Sequence, residues 1–63
     1  MTIVEFLESD EGKKLSRAEW SRRIGVTRGY LTQLAGGHKV PSLHLAVRID
    51  EITGGKVTPY DWL

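Results

Sequence analysis

The sequence predicts a small all-α protein in which five helices form one domain over residues 1–63. Three observations lead to this prediction. Apolar residues recur at helical spacing in short blocks, helix-capping residues stand before these blocks, and glycines follow most of them. No run of alternating apolar and polar residues is long enough for a strand. A chain of 63 residues suffices for one small domain and leaves little room for a deep pocket.

The first helix is predicted directly after the N-terminal methionine. Thr2 suits the N-cap position, and Ile3, Phe6 and Leu7 then fall at helical spacing. Acidic residues in the early turns favour the positive end of the helix dipole. We expect this helix to end near residues 10–12.

The second helix is predicted to begin at Arg17, because Ser16 and Glu19 have the spacing of a capping box. Gly25 suits the left-handed residue that ends a helix. Within this helix, Glu19 and Arg23 have the spacing of an intrahelical ion pair.

The third helix is predicted over about residues 28–36. Thr27 can cap it, and the glycine pair 36–37 stops it. Leu31 and Leu34 fall on one side and are predicted to face the core.

The fourth helix follows Pro41 and Ser42 and ends at the glycine pair 54–55. Its apolar residues spread around much of the helix, which predicts a largely buried element. They are Leu43, Leu45, Ala46, Val47, Ile49 and Ile52. Thr58 and Pro59 then resemble a cap and a first-turn proline, which predicts a fifth, short helix.

Charge is distributed unevenly along the chain, although its formal net charge is only +1. Residues 13–39 contain seven basic residues and one acid, so this segment carries +6 and the remainder carries −5. Such asymmetry predicts one positive surface of the kind that a nucleic acid requires. An ordinary solvated charged surface is the alternative interpretation.

Residues 16–37 are the most informative segment, because they read as two short helices around a tight turn at residues 25–27. Small or apolar side chains are predicted to face inward and set the angle between these helices. They are Trp20, Ser21, Ile24, Val26, Leu31 and Leu34. The opposite face of the third helix carries Arg28, Gly29, Thr32 and Gln33, which is suitable chemistry for reading base edges in a DNA major groove.

With this segment at its centre, the chain resembles the helix-turn-helix domain of the lambdoid phage Cro and repressor family, including short Cro-like prophage regulators. The similarity covers nearly the whole chain. It is carried by Arg17, Ser21, the Gly25-Val26-Thr27 turn, Leu31, Gln33-Leu34, Gly37 and the segment after Pro41. Ser21 departs from the alanine that is usual in the family, and Gly29 from a long polar side chain.

The resemblance implies that the third helix enters the major groove and that Arg28, Gly29, Thr32 and Gln33 face base edges. It also implies four residues near DNA phosphates, namely Arg17, Thr27, Tyr30 and Lys39. For Tyr30, packing against the core is an equally favoured interpretation. Because Gly29 has no side chain, specificity is expected to depend on few direct contacts or on close backbone approach.

The C-terminal residues suggest a homodimer. Tyr60 and Trp62 lie so near the end of a small domain that it need not cover both, and Val57 and Leu63 adjoin them. A dimer would place two recognition helices in successive major grooves, about 34–36 Å apart. The alternative is that Trp62 closes the core beside the fourth helix.

The sequence favours no enzyme, cofactor or metal. It contains no cysteine and two histidines without acids at ligand spacing, and no nucleophile, base and orienter are ordered for catalysis. Without a membrane segment or an export signal, we expect a cytoplasmic protein.

The predicted function is sequence-specific repression of transcription at an operator in duplex DNA. Two alternatives stay open. One is the antitoxin of a toxin–antitoxin pair that uses the same DNA face, and the other is a protein-interaction module that does not bind DNA.

Overall fold

Four α-helices and two 3₁₀ turns make up the fold in a computed structural model that describes all 63 residues. The helices are α1 (Ile3–Glu8), α2 (Arg17–Ile24), α3 (Arg28–Ala35) and α4 (Leu43–Ile52). The 3₁₀ turns are Gly12–Lys14 and Pro59–Trp62. The all-α prediction is therefore confirmed, whereas the predicted fifth helix is a single 3₁₀ turn.

Each α-helix begins at a serine or threonine whose hydroxyl oxygen accepts a hydrogen bond from a backbone N–H three residues later. This bond satisfies one of the N–H groups that a helix start leaves without an intrahelical partner. The four pairs are Thr2 with Glu5 (3.2 Å), Ser16 with Glu19 (3.1 Å), Thr27 with Tyr30 (3.0 Å) and Ser42 with Leu45 (3.3 Å). The helix starts predicted from the sequence are thus confirmed.

The two predicted features of the α2 N-terminus are only partly present. The Glu5 carboxylate completes the capping box of α1 by accepting the Thr2 N–H at 2.7 Å. The Glu19 carboxylate does not do the same for Ser16, because it pairs with Arg22. The predicted ion pair of Glu19 with Arg23 is therefore wrong, and the pair formed has the spacing i,i+3.

Ser9 ends α1 one to three residues earlier than predicted. Its backbone is extended, with φ −73° and ψ 165°. Its hydroxyl donates to the Phe6 carbonyl and accepts the N–H of Gly12 at 3.1 Å. A serine that bonds the neighbouring backbone in this way competes with helix propagation.

The core forms where the four helices and the second 3₁₀ turn meet. Phe6 and Trp20 contact edge to face, with ring centroids 5.1 Å apart and an interplanar angle of 75°. Nine buried residues form the cluster: Ile3, Phe6, Leu7, Trp20, Ile24, Leu31, Leu34, Ile49 and Val57. The inward positions predicted for Trp20, Ser21, Ile24, Leu31 and Leu34 are confirmed.

Gly12 allows α1 to pack closely against the turn that follows it. A Cβ at this position would lie 1.9 Å from the Phe6 carbonyl oxygen, far inside van der Waals contact. The Gly12 carbonyl oxygen accepts the indole N–H of Trp20 at 2.7 Å in the buried interior. This position therefore requires a residue without a side chain.

Helix α4 is less buried than the sequence predicts. Ala46 and Ile49 are buried, but Leu43 is 74% exposed and Val47 is 44% exposed. Helix α2 and the second 3₁₀ turn pack against α4, and the face that carries Leu43 and Val47 has no cover. The prediction of a largely buried element is wrong because a domain this small has no further layer to cover the outer face.

Val57 is held inside the core by a hydrogen-bonded reversal after α4. The Thr53 hydroxyl donates to the Ile49 carbonyl at 2.8 Å and accepts the N–H of Val57 at 3.1 Å. Gly54 and Gly55 reverse the chain with φ of 66° and 84°. Val57 has no exposed surface, so it is not available to a dimer interface. The prediction that Val57 contributes to such an interface is wrong.

None of the helices has the length and apolar character that a membrane-spanning helix requires.

Candidate nucleic-acid interface

A three-residue turn fixes α3 relative to α2. Gly25 adopts the left-handed conformation with φ 91°, which favours glycine. The N–H groups of Gly25 and Val26 donate to the Ser21 carbonyl at 2.8 and 2.9 Å. Val26 packs against the core, and Thr27 caps α3. The turn predicted at residues 25–27 is confirmed.

Helix α3 has one buried face and one exposed face. Leu31 and Leu34 are 0% and 2% exposed and anchor the helix in the core. All four predicted base-reading residues are exposed: Arg28, Gly29, Thr32 and Gln33. The structure thus brings these four residues together on accessible surface, and their contact with bases stays a prediction.

The exposed face of α3 offers unequal hydrogen-bonding groups. The Arg28 guanidinium has no carboxylate within 4 Å, so its donors are available. The Thr32 hydroxyl donates to the Arg28 carbonyl at 3.0 Å, which leaves its oxygen as an acceptor. At Gly29 a Cβ would have no heavy atom within 4 Å. The middle of this face is therefore open space.

The residues predicted near phosphates surround α3, but their side chains differ in burial and in the contacts that they already make. Arg17 is the first residue of α2 and is half-buried. Thr27 uses its hydroxyl oxygen as the α3 cap and keeps its proton to donate. Tyr30 is half-buried against the core, and the Lys39 ammonium lies 6.0 Å from its ring centroid. Packing, one of the two interpretations of Tyr30, is thus observed.

Most cationic side chains of the chain have no acidic partner. Only Arg22 and Lys56 have a side-chain carboxylate within 4 Å, from Glu19 and Glu11 respectively. The others are Lys13, Lys14, Arg17, Arg23, Arg28, Lys39 and Arg48. Six of these seven lie in the basic segment 13–39, so most of its charge is not neutralised locally.

Arg48 is a residue near the turn that the sequence did not single out. Its guanidinium atoms lie 3.6–3.8 Å from the position that a Cβ of Gly25 would take. Arg48 belongs to α4, so only the packing of α4 against α2 brings it there. No local sequence signal indicates this proximity.

The C-terminal residues divide into buried and exposed members. Tyr60 is 80% exposed and Leu63 is fully exposed, whereas Val57 belongs to the core. Trp62 is half-buried and packs against the core, and its indole nitrogen is buried without a hydrogen-bond partner. Of the predicted dimer residues, Tyr60 and Leu63 are therefore the freely accessible ones.

Comparison with known proteins gives no relative: no protein family, no curated protein and no solved structure matches the chain.

Proposed function

We propose that this protein is a sequence-specific DNA-binding repressor with a fold of the Cro and repressor type. The observation that carries the proposal is the division of α3 into two faces. Leu31 and Leu34 fix the helix in the core, while unpaired Arg28 and exposed Gln33 project from the other side. An α-helix of this kind fits the major groove of duplex DNA.

Base reading is proposed for the exposed face of α3. Arg28 can donate two hydrogen bonds to O6 and N7 of guanine, and Gln33 can pair with N6 and N7 of adenine. Each such pair contributes about 1–3 kcal/mol of discrimination. Thr32 offers its methyl group to thymine. The open space at Gly29 adds no side-chain contact, so DNA shape is expected to supply part of the specificity.

Phosphate binding is proposed for residues around α3. Arg17 lies at the start of α2, where unpaired N–H groups add positive potential. Lys39 follows α3, and Thr27 and Tyr30 contribute hydroxyl groups. These contacts position α3 and carry no sequence information themselves.

Repression follows from occupancy, because a protein bound at an operator excludes polymerase without any catalytic step. Tyr60 and Leu63 are the residues proposed to pair two copies on DNA. A palindromic operator with half-sites about 34–36 Å apart would match such a dimer.

Selection of bound sites from random DNA duplexes tests this proposal. We expect the enriched sequences to share a guanine and an adenine at a fixed spacing. Recovery of random sequences only, or no recovery at low salt, would contradict specific DNA binding. The absence of any DNA binding is the outcome that the protein-interaction alternative predicts.

Single substitutions then separate reading from positioning. Arg28→Ala is expected to lower discrimination between the selected site and its variants, whereas Arg17→Ala weakens binding to all duplexes and lowers the salt slope by about 1. Lys56→Gln is the matched control. It also removes one positive charge, but Lys56 lies outside the assigned interface and pairs with Glu11 at 2.9 Å. If all three variants bind the selected site alike, the assigned interface is wrong.

A further inference from the structure

A groove on the outer side of α4 is separate from the proposed DNA face. Its walls are formed by α4 and the C-terminal part of α2, and its volume is about 760 Å³. Among its lining residues are Arg23, Leu43, Val47, Arg48, Glu51 and Ile52. It shares no residue with the predicted base-reading or phosphate-contacting sets.

We propose that this groove binds an acidic amphipathic segment of a partner protein. The proposal does not depend on DNA binding. The partner segment must supply carboxylates together with aliphatic or aromatic side chains.

The apolar part of the groove is exposed aliphatic surface. Leu43 and Val47 are 74% and 44% exposed, and they lie one helical turn apart on α4. Residues at spacing i,i+4 are neighbours on a helix, so they form a continuous apolar stripe. A partner segment that places two apolar side chains one turn apart would cover this stripe.

The basic part of the groove supplies charge complementarity. Arg23 and Arg48 flank the stripe, and neither has a carboxylate within 4 Å. Three atoms of the Arg48 guanidinium lie at 3.6–3.8 Å from the Cβ position of Gly25, so the group lies against the turn. A guanidinium presents two parallel N–H donors, so Arg48 can bind a carboxylate bidentately.

The composition favours a protein over a nucleic acid. Arginine is enriched at protein interfaces, and the buried centre of an interface is more apolar than its rim. A phosphodiester backbone brings no apolar group that would cover Leu43 and Val47.

Outside the groove itself, a second copy of this chain offers little of the required surface. Glu5 and Glu8 are exposed on α1, but the large apolar residues of that helix are buried. Near the exposed Tyr60 and Leu63, the Asp61 carboxylate is engaged by the N–H and hydroxyl of Thr58. The groove itself combines Leu43 and Val47 with Glu51, so pairing of two copies is one of the outcomes that the test distinguishes.

Selection from a displayed library of random 16-residue peptides against the full chain tests the proposal. We expect enriched peptides to carry two large apolar residues three or four positions apart, flanked by Asp or Glu. Parallel selection on a Leu43→Ser/Arg48→Gln variant is expected to lose this enrichment. Both positions are exposed, so the variant is expected to fold, and an unchanged Tm verifies this.

One enriched peptide is then synthesised and titrated into the ¹⁵N-labelled chain. We expect at least a tenfold weaker Kd for Leu43→Ser/Arg48→Gln and for a peptide with Glu replaced by Gln. Lys13→Gln, an exposed cation outside the groove, is the control and should leave Kd unchanged. Amide shifts should map to residues 43–52.

Four outcomes of the peptide experiments would overturn the proposal, and two further outcomes would assign the groove to another occupant. The four are absence of enrichment, a consensus without acids, enrichment that persists on the double variant, and amide shifts at α3. Concentration-dependent shifts of residues 43 and 47 without peptide would assign the groove to a second copy instead. An equal loss of duplex affinity in Arg48→Gln and Arg28→Ala would assign it to DNA. Failure of DNA-site selection leaves the peptide result unaffected, so the two proposals are tested separately.

Discussion

The Trp20 indole N–H donates to the Gly12 carbonyl oxygen at 2.7 Å in the interior, which joins α2 to the turn after α1. The second tryptophan differs: the indole nitrogen of Trp62 is buried and has no partner. The two indole N–H groups therefore have opposite effects on stability. A satisfied buried donor stabilises the fold, and an unsatisfied one costs free energy.

Replacing each tryptophan by phenylalanine tests this difference. Trp20→Phe leaves the Gly12 carbonyl without its partner and is expected to reduce the free energy of unfolding by about 1–3 kcal/mol. Trp62→Phe removes an unpaired donor and is expected to cost clearly less. Urea denaturation monitored by circular dichroism measures both free energies of unfolding. Equal losses would show that the hydrogen bond contributes little.

Two glycines are expected to respond oppositely to a methyl group. In Gly12→Ala the Cβ would lie 1.9 Å from a backbone oxygen, so the chain must shift, at a cost of about 1–3 kcal/mol or more. In Gly29→Ala the Cβ enters open space on a helix, which is expected to stabilise by up to about 1 kcal/mol. Thermal unfolding of both variants checks the signs. A stabilised Gly12→Ala would contradict the close packing after α1.

Buried Val57 and exposed Tyr60 are expected to separate stability from self-association. Val57→Ala removes two buried methyl groups and should cost about 2 kcal/mol of unfolding free energy. Tyr60→Ser should leave stability nearly unchanged and weaken any dimer. Analytical ultracentrifugation with and without operator DNA measures association. A wild-type chain that stays monomeric in both conditions would exclude the dimer.

Acid is expected to destabilise the protein through three carboxylates. Hydrogen bonding from the Thr2 N–H lowers the pKa of Glu5, a hydrogen bond from Lys56 lowers the pKa of Glu11, and the Thr58 N–H lowers the pKa of Asp61. A folded-state pKa below the unfolded one contributes stability above the unfolded value, and this is lost as pH falls through the folded value. The ordinary values are 4.5 for Glu and 3.8 for Asp, so Tm should fall from about pH 5 downward.

Asp61→Asn is expected to flatten this acid dependence by removing one of the three groups. Glu8→Gln is the matched control, since it removes a carboxylate without a hydrogen-bond or ion-pair partner. Tm measured against pH for both variants checks the expectation. Identical acid limbs for Asp61→Asn and the wild type would refute the role of Asp61.

Tyr30 is expected to show two separable contributions. Tyr30→Phe keeps the ring against the core and removes only the hydroxyl, so stability is retained while affinity for the selected operator falls by about fivefold, as for one hydrogen bond. Tyr30→Ala should lower stability as well. Fluorescence anisotropy with labelled duplex measures the affinity. Unchanged affinity of Tyr30→Phe would leave Tyr30 a packing residue only.

The parts of the fold that depend on neighbouring residues along the chain could be predicted from the sequence. The caps at Thr2, Ser16, Thr27 and Ser42, and the left-handed Gly25, follow from side-chain chemistry within a few residues. The inward side of α3 follows in the same way from helical periodicity. From these features the all-α class and the turn between α2 and α3 could be predicted, and the structure confirms both.

The parts that depend on tertiary packing could not be predicted. Gly12 looks like an ordinary helix stop, yet its role depends on Phe6 and Trp20 approaching its backbone. Val57 is apolar in an irregular segment, and only its burial in the folded chain shows that it faces inward. Helical periodicity likewise did not show which side of α4 lacks a cover. Exposure of the α3 face is observed, but the identity of its ligand needs a binding measurement.

The turn between α2 and α3 leaves no independent hinge between them. Its N–H groups are bonded to Ser21, its left-handed residue is fixed, and Thr27 closes the first turn of α3. A tilt of α3 relative to α2 would expose Leu31 and Leu34, which are buried. Amide hydrogens of the two helices should then exchange with solvent in one shared opening event. A ligand that binds α3 thus meets a backbone already in place, with little backbone entropy left to lose.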